Sequence, residues 1–248
     1  TLQRICVGGA ACPAFIIDAF RERHAVNVAH AWGMTELSPV GSYNAPKSGM
    51  ETMSAETQAA LRLRQGRALF GIEMKIVDTA GNEQPWDGVT SGALKVRGPW
   101  VCSRYFGAAK AATDTDGWFD TGDVATIDAD GFMQITDRTK DIIKSGGEWI
   151  SSIALENIAI GHPDVAEAAV IGVSHPRWLE RPLLVIVPQP GTTPSRDALL
   201  AWFRGKVADW WIPNDVVFVS QLPHTATGKL QKSVLREQFR SYSFPPAE

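Results

Sequence analysis

The segment AWGMTE, residues 31–36, groups side chains that could bind a nucleotide. Trp32 offers an aromatic face on which a base could stack, and Gly33 lets backbone approach a ligand closely. Thr35 could hydrogen-bond a phosphate, and Glu36 could bind Mg²⁺, which prefers one or two carboxylates together with phosphate oxygens. A buried tryptophan followed by a helix cap would have the same sequence, so both interpretations stand at this point.

Two further segments place a glycine or a carboxylate after an apolar stretch. In VGGAACP, residues 7–13, Gly8 and Gly9 leave the backbone open to a planar or phosphorylated ligand, although glycines in this position are more often plain turns. In GWFDTGDVA, residues 117–125, Asp123 follows a glycine. A carboxylate in that position suits the two hydroxyls of a ribose, and an ordinary turn aspartate is the alternative.

A lysine near the end of the chain follows a Thr/Gly-rich turn and precedes an amphipathic stretch, in PHTATGK, residues 223–229. The pattern differs from the phosphate loop G-x-x-x-x-G-K-[ST], because Pro223 replaces the first glycine and Leu230 replaces the hydroxyl residue. The turn instead places Lys229 where it could reach a ligand outside its own domain.

The elements around these residues predict two regions. A strand in residues 1–10, a helix over 13–24 and a strand over 25–32 indicate parallel α/β structure, whose ligand sites lie at the carboxyl ends of the strands. From residue 70 the alternation of apolar and polar residues predicts a small antiparallel sheet or barrel. After residue 140 the pattern predicts an α+β module. The charged segment DRTKD, residues 137–141, sets a boundary between domains 1–139 and 140–248.

In that module we predict helices over residues 151–160 and 195–210, strands over 166–173, 182–188 and 215–220, and a final helix.

Composition excludes several classes of protein. The chain has 248 residues, 44% of them hydrophobic, a formal net charge of −3 and a pI near 6.0, so it offers no basic field for nucleic acid. No apolar run reaches the roughly 20 residues that cross a bilayer. Cys6, Cys12 and Cys102 form no metal-binding pattern and are expected to be buried, reduced thiols, which favours the cytosol. Nothing in the sequence indicates an oligomeric state.

Taken in order, these segments resemble the adenylate-forming superfamily of acyl-CoA synthetases, peptide-synthetase adenylation domains and luciferases. The similarity rests on seven segments across nearly the whole chain: GGA, AWGMTE, SGALKVRGPWVCSRYF, GWFDTGDVA, DRTKDIIKSGGEWISSIALE, WWIP and PHTATGKLQKSVLR. Within the superfamily the chain is most similar to medium- and long-chain fatty acid CoA ligases and methylmercaptopropionate CoA ligases, through SGGEWISS and LPHTATGK.

The resemblance implies a fold and a nucleotide site. The fold is the end of a large adenylate-forming domain, with a parallel α/β part and a small β-barrel, followed by a small, mobile α+β domain. Thr35 would contact the α-phosphate of ATP, and Glu36 would bind Mg²⁺. The implied nucleotide-binding residues, through which AMP would also be held, are Gly8, Gly9, Ala10, Trp32, Gly33, Met34, Asp123 and Arg138.

The resemblance also implies a two-step reaction. A small carboxylic acid and ATP would form an acyl-adenylate, with Lys229 as the adenylation lysine. Rotation about a hinge at Lys140 would then bring in coenzyme A, with AMP released after thioester formation. The implied CoA-binding residues are Ser145, Gly146, Gly147 and Glu148.

The chain also departs from the family pattern. Ala93, Ser152 and Ala154 stand where the family usually has Glu, Pro and Glu, and the phosphate loop TSGTTGxPK does not occur. We therefore expect a carboxyl-terminal fragment that is inactive by itself. Two alternatives stay open: an adenylation domain that loads a carrier protein, and a stable fragment without catalytic function.

Overall fold

The structure is a computed structural model that describes residues 2–9, 12–226 and 228–245. The chain divides into two units, Thr1–Thr139 and Lys140–Glu248. Within the described ranges, no helix combines the length and the apolar character needed to cross a membrane. The three cysteines are free thiols, but only Cys12 is buried, while Cys6 is exposed and Cys102 partly so, which corrects the expectation that all three are buried.

The first unit contains eight strands and two α-helices in its described part. The strands are β1 (Arg4–Val7), β2 (Asn27–Gly33), β3 (Val40–Tyr43), β4 (Arg67–Ala68), β5 (Glu73–Val77), β6 (Gly92–Arg97), β7 (Phe119–Ile127) and β8 (Met133–Arg138). The helices are α1 (Ala14–His24) and α2 (Ala55–Arg62), with 3₁₀ turns at Thr35–Leu37 and Met50–Thr52.

Strands β1 and β2 pair in parallel, joined by α1, which confirms the predicted strand–helix–strand order. Ile17 on α1 packs against Val28 of β2, and this buried contact holds the helix on the sheet. Strands β3 and β4 extend the sheet in antiparallel pairing, giving the order β1-β2-β3-β4. Parallel pairing therefore sets the carboxyl ends of β1 and β2 at one sheet edge.

The second sheet of this unit is antiparallel, in the order β5-β6-β7-β8. Gly92, Leu94 and Val96 are buried while their neighbours in β6 are partly exposed, which is the period-2 pattern of a sheet with one face on a core. The antiparallel arrangement is confirmed. The barrel is not closed, because β5 and β8 are the two edges of the sheet and do not pair with each other in the described residues.

The second unit contains five strands and three α-helices in its described part. The strands are β9 (Ile143–Ser145), β10 (Glu148–Ile150), β11 (Val165–His175), β12 (Leu179–Pro188) and β13 (Asp215–Phe218). The helices are α3 (Ser152–Ile160), α4 (Arg196–Trp202) and α5 (Lys232–Gln238), with a 3₁₀ turn at Asp209–Trp211.

The sheet of the second unit has the order β10-β9-β12-β11, and β13 pairs in parallel with β12. Both faces of β12 are buried: Leu184 packs in a cluster with Leu155 of α3, and Leu183 in a cluster with Leu235 of α5. Helices therefore cover both faces, and the predicted α+β module is confirmed.

One local prediction for this unit was wrong, and one element was not predicted. The helix predicted over residues 195–210 ends at Trp202, because Gly205 adopts a positive φ of 72° that no α-helix accommodates. The segment before α3 forms the hairpin β9–β10, for which no strand was predicted.

Two phenylalanines of the first unit differ in their exposure to solvent. Phe132 is 0% exposed and Phe70 is 100% exposed. We expect Phe132→Ala to lower the free energy of unfolding by about 3–5 kcal/mol, because it removes a buried ring and leaves a cavity. Phe70→Ala is the control and should change it by less than about 0.5 kcal/mol. Urea unfolding of the chain measures both, and equal losses would contradict the described core.

Candidate functional site

The ends of β1 and β2 carry the glycine-rich segments. Gly8 and Gly9 follow β1, and a side chain on Gly8 would place its Cβ 3.1 Å from the carbonyl oxygen of Ala31, so glycine lets this turn approach β2. Gly9 has a φ of 89°, which favours glycine. Ala10, the third residue of the predicted adenine-binding backbone, lies outside the described residues.

Packing requires glycine at position 33. A Cβ at this position would overlap the carbonyl oxygen of Pro39, so the crossing from β2 to β3 admits only glycine. Met34 is extended, with φ −153°, and the chain then enters the 3₁₀ turn Thr35–Leu37. This tight crossing fixes the backbone positions of the next two polar residues, Thr35 and Glu36.

Those side chains are Thr35, which is exposed, and Glu36, which is partly buried. The Tyr105 hydroxyl donates a hydrogen bond to Glu36 Oε1 at 2.8 Å, and the backbone N–H of Cys102 donates to the Glu36 carbonyl oxygen at 2.7 Å. The hydrogen bond to the carboxylate raises the pKa of Tyr105. Sequence reasoning assigned no role to Tyr105, although it lies in one of the segments that carry the resemblance.

A buried carboxylate connects the two sheets of the first unit. Asp123, in β7, is 6% exposed. Its Oδ2 accepts a hydrogen bond from the Trp32 indole N–H at 2.9 Å, and its Oδ1 lies 3.4 Å from Nε of Arg138. Asp123 and Arg138 are register partners in β7 and β8. The structure thus brings together three of the predicted nucleotide-binding residues.

Burial has the largest effect on the pKa of this carboxylate. It raises the pKa of Asp123, while the hydrogen bond from Trp32 and the charge of Arg138 act in the opposite direction. Trp32 is itself 9% exposed and packs in the same cluster as Leu94 and Phe119. Trp32 therefore orients the carboxylate through its N–H, and its stacking on adenine stays a prediction.

The second unit carries the remaining predicted residues. Lys140 is its first residue and is exposed. The adjacent Asp141 forms an ion pair with Arg236 of α5, with 2.5 Å between Oδ1 and Nη1. The residue after the predicted hinge is thereby tied to the helix that follows the lysine turn.

The predicted CoA-binding segment is the tip of the hairpin β9–β10. Ser145 and Glu148 are register partners, and Gly146 and Gly147 form the two-residue turn with φ of 62° and 89°. Two consecutive positive φ values are the condition for the tight hairpin turn that glycine meets best. The turn residues and Glu148 are exposed, whereas Ser145 is buried.

Lys229 closes a separate tight turn. Its backbone N–H donates to Thr225 Oγ1 at 3.0 Å, and its carbonyl oxygen accepts from the Thr225 N–H at 2.8 Å. The side chain is exposed, and in the described part of the chain its amine has no ion pair. The backbone is therefore held in place while the ammonium group stays available to a ligand.

Comparisons with known proteins agree on one family. The protein-family model described as AMP-binding enzyme matches residues 1–106. The family model described as AMP-binding enzyme C-terminal domain matches residues 154–229. Together the two matches cover more than half of the chain. A 3-methylmercaptopropionyl-CoA ligase of Ruegeria pomeroyi is 56% identical over 97% of this chain and 44% of its own length.

Two other comparisons extend this result. A medium-chain-fatty-acid–CoA ligase of Ectopseudomonas oleovorans is 50% identical over 96% of this chain and 44% of its own length. The crystal structure of ATP-bound MatB from Rhodopseudomonas palustris matches with a TM-score of 0.80 and 30% identity, over 95% of this chain and 45% of that one. The chain thus spans less than half the length of the proteins it matches.

The environment of Asp123 predicts a pH dependence of stability. Its native pKa is raised above the ordinary value of 3.8, so the native state binds more protons than the unfolded state as the pH rises through this range. The protein should therefore lose stability relative to Asp123→Asn, whose amide oxygen can still accept from Trp32, as the pH rises from about 4. Urea unfolding of both proteins across pH measures the difference. A difference that grows in favour of the wild type would contradict the assignment.

Proposed function

Because this chain belongs to the AMP-binding enzyme family, we propose that it is the carboxyl-terminal part of an ATP-dependent carboxylic acid:CoA ligase. The observation that carries the proposal is the pairing of two features on the second unit. One is an exposed lysine on a fixed turn, and the other is an exposed glycine hairpin. Two features on one unit suit two half-reactions at one site.

In the first half-reaction, a carboxylate oxygen of the acid attacks the α-phosphorus of ATP. The bond from that phosphorus to the bridging oxygen breaks, pyrophosphate leaves, and an acyl-adenylate forms. Both reactants are anions, so an ammonium group between them lowers the energy of the transition state. We assign this role to Lys229, whose exposed amine supports it.

We propose that the first unit holds the nucleotide. Asp123 and Arg138 would bind the ribose hydroxyls, which the adjacent carboxylate and guanidinium support. Gly8 and Gly9 would lie along the adenine with Trp32, completing that part of the site. The remaining assignments are Ala10, Gly33 and Met34 at the nucleotide and Thr35 at the α-phosphate.

Mg²⁺ would be bound by Glu36 together with the phosphate oxygens of ATP. The described residues contain no cluster of three or more His, Cys, Asp or Glu side chains that could hold a metal ion. A single carboxylate is consistent with Mg²⁺, which commonly reaches a protein on the phosphates of its substrate. The ion would supply charge neutralisation at the phosphates. The hydrogen bond from Tyr105 engages one oxygen of Glu36 and orients the carboxylate.

In the second half-reaction, the thiol sulfur of CoA attacks the acyl carbonyl carbon, the bond to the phosphate oxygen of AMP breaks, and the thiol proton leaves to solvent. We propose that the second unit rotates at Lys140, so that Lys229 withdraws and the hairpin Ser145–Glu148 guides the thiol. The start of the second unit at Lys140 supports a hinge there.

Free CoA is favoured over a carrier protein as acceptor, since the relatives above are named CoA ligases. The acid would be aliphatic, because those names specify a methylmercaptopropionyl group and medium-chain fatty acids. A cytosolic location is supported by three free thiols. A pyrophosphate-release screen of the complete enzyme across short, medium and long acids would identify the substrate.

Lys229→Ala tests the division of labour in the complete enzyme. We expect acid-dependent pyrophosphate exchange to fall about a hundredfold to a thousandfold, because the mutation removes a charge that acts in the transition state. Thioester formation from supplied acyl-adenylate should stay close to the wild-type rate. Arg240→Ala, an exposed cation just after α5 in the same unit, is the control and should alter neither step. Equal loss of both steps in Lys229→Ala would contradict the proposed role.

A further inference from the structure

The glycine hairpin lies against four consecutive residues, Trp178–Arg181, at the start of β12. The N–H of Gly146 donates to the carbonyl oxygen of Trp178 at 2.9 Å. The N–H of Lys144 donates to Glu180 Oε2 at 2.9 Å. Arg181 Nη1 donates to Ser145 Oγ at 3.0 Å. Three successive hairpin residues are thus each held by a different residue of this segment.

The ring of Trp178 packs on the hairpin turn. A Cβ at Gly146 would lie 2.9 Å from Trp178 Cε3, so the ring is in direct contact with the turn backbone. Arg177 stacks on the same ring, 4.5 Å from its centroid. Leu179, the register partner of Ser145, has a positive φ of 71°, which is unusual for a leucine. The segment adopts this conformation while it contacts the hairpin.

Arg181 is the most connected residue of the segment. Besides Ser145, its guanidinium donates to Asn214 Oδ1 at 2.6 Å, to the carbonyl oxygen of Trp210 at 2.7 Å and to that of Ile212 at 3.2 Å. All four acceptors are uncharged, and in the described residues Arg181 has no ion pair. The planar guanidinium, with five N–H donors, can bond several acceptors at fixed angles.

Burying a cation without a counter-charge is unfavourable, and the burial lowers the pKa of Arg181. Four hydrogen bonds offset part of this cost and connect three separate parts of the unit: the hairpin, the start of β12 and residues 210–214. A lysine could not replace this geometry, because one ammonium group with three N–H donors cannot bond four acceptors on two segments at once.

We propose that Arg181 is a positioning residue for thioester formation, which acts through Ser145 to hold the glycine hairpin in one position and orientation. The proposal rests on the proposed function, in which this hairpin guides the thiol of CoA. The turn that carries Lys229 is held by Thr225 and makes no hydrogen bond to Arg181 in the described residues. The two half-reactions should therefore respond differently to a change at Arg181.

Arg181→Lys in the complete enzyme is the test, with each half-reaction measured separately. Thioester formation from supplied acyl-adenylate should fall about tenfold to a hundredfold, because small displacements of a guiding group cost that much. The fall should include a higher KM for CoA. Pyrophosphate exchange should stay within about twofold of the wild type, since Lys229 is undisturbed. Arg204→Lys, an exposed arginine of the same unit, is the matched control and should change neither step.

The outcomes separate the alternatives. If both steps fall together with a lower melting temperature, Arg181 only stabilises the unit that also carries Lys229, and the proposal is overturned. An unchanged thioester step overturns it as well. Ser145→Ala leaves the other three acceptors of Arg181 in place, so it should impair the thioester step alone, and adding Arg181→Lys to it should lower that step little further. Additive losses would mean that Ser145 acts without Arg181, which overturns the proposal. A wild-type enzyme that exchanges pyrophosphate but transfers nothing to CoA would instead refute the proposed function.

Discussion

The candidate nucleotide site of the first unit depends on the interactions of one buried carboxylate, Asp123. Trp32 comes from the mixed sheet β1-β2-β3-β4 and Arg138 from the antiparallel sheet. Asp123 accepts a hydrogen bond from Trp32 and forms an ion pair with Arg138. A desolvated carboxylate is unfavourable unless donors or cations surround it, so this arrangement forms only where the two sheets bring those partners together. The same desolvation strengthens any hydrogen bond that the carboxylate accepts from a ligand.

The second unit differs, because the chemistry that we propose for it depends on groups that must stay exposed. Lys229 and the hairpin glycines are exposed, yet each is carried by backbone whose hydrogen bonds are made within the unit. Backbone anchoring restricts where an exposed group can go, which reduces the entropy lost when it engages a ligand. The central strand β12 supports this arrangement, since both of its faces are buried under helices.

Asp123 and Arg181 differ in their electrostatic surroundings. The Asp123 carboxylate is buried next to a cation, whereas the Arg181 cation is partly buried among neutral acceptors. In both cases a charge that would be costly to bury is retained together with directional hydrogen bonds. The bond from Trp32 orients the Asp123 carboxylate, and the bonds of Arg181 hold the neighbouring hairpin and residues 210–214.

The sequence by itself determined the types and order of most elements, because apolar periodicity and turn residues act locally. It also determined the family, through short segments such as AWGMTE and PHTATGK. It could not reveal that Tyr105 reaches Glu36 or that Arg181 reaches Ser145, because 69 and 36 residues separate these partners. Only tertiary packing decides such contacts, since long-range neighbours are set by how sheets stack and strands pair, and no local pattern encodes them.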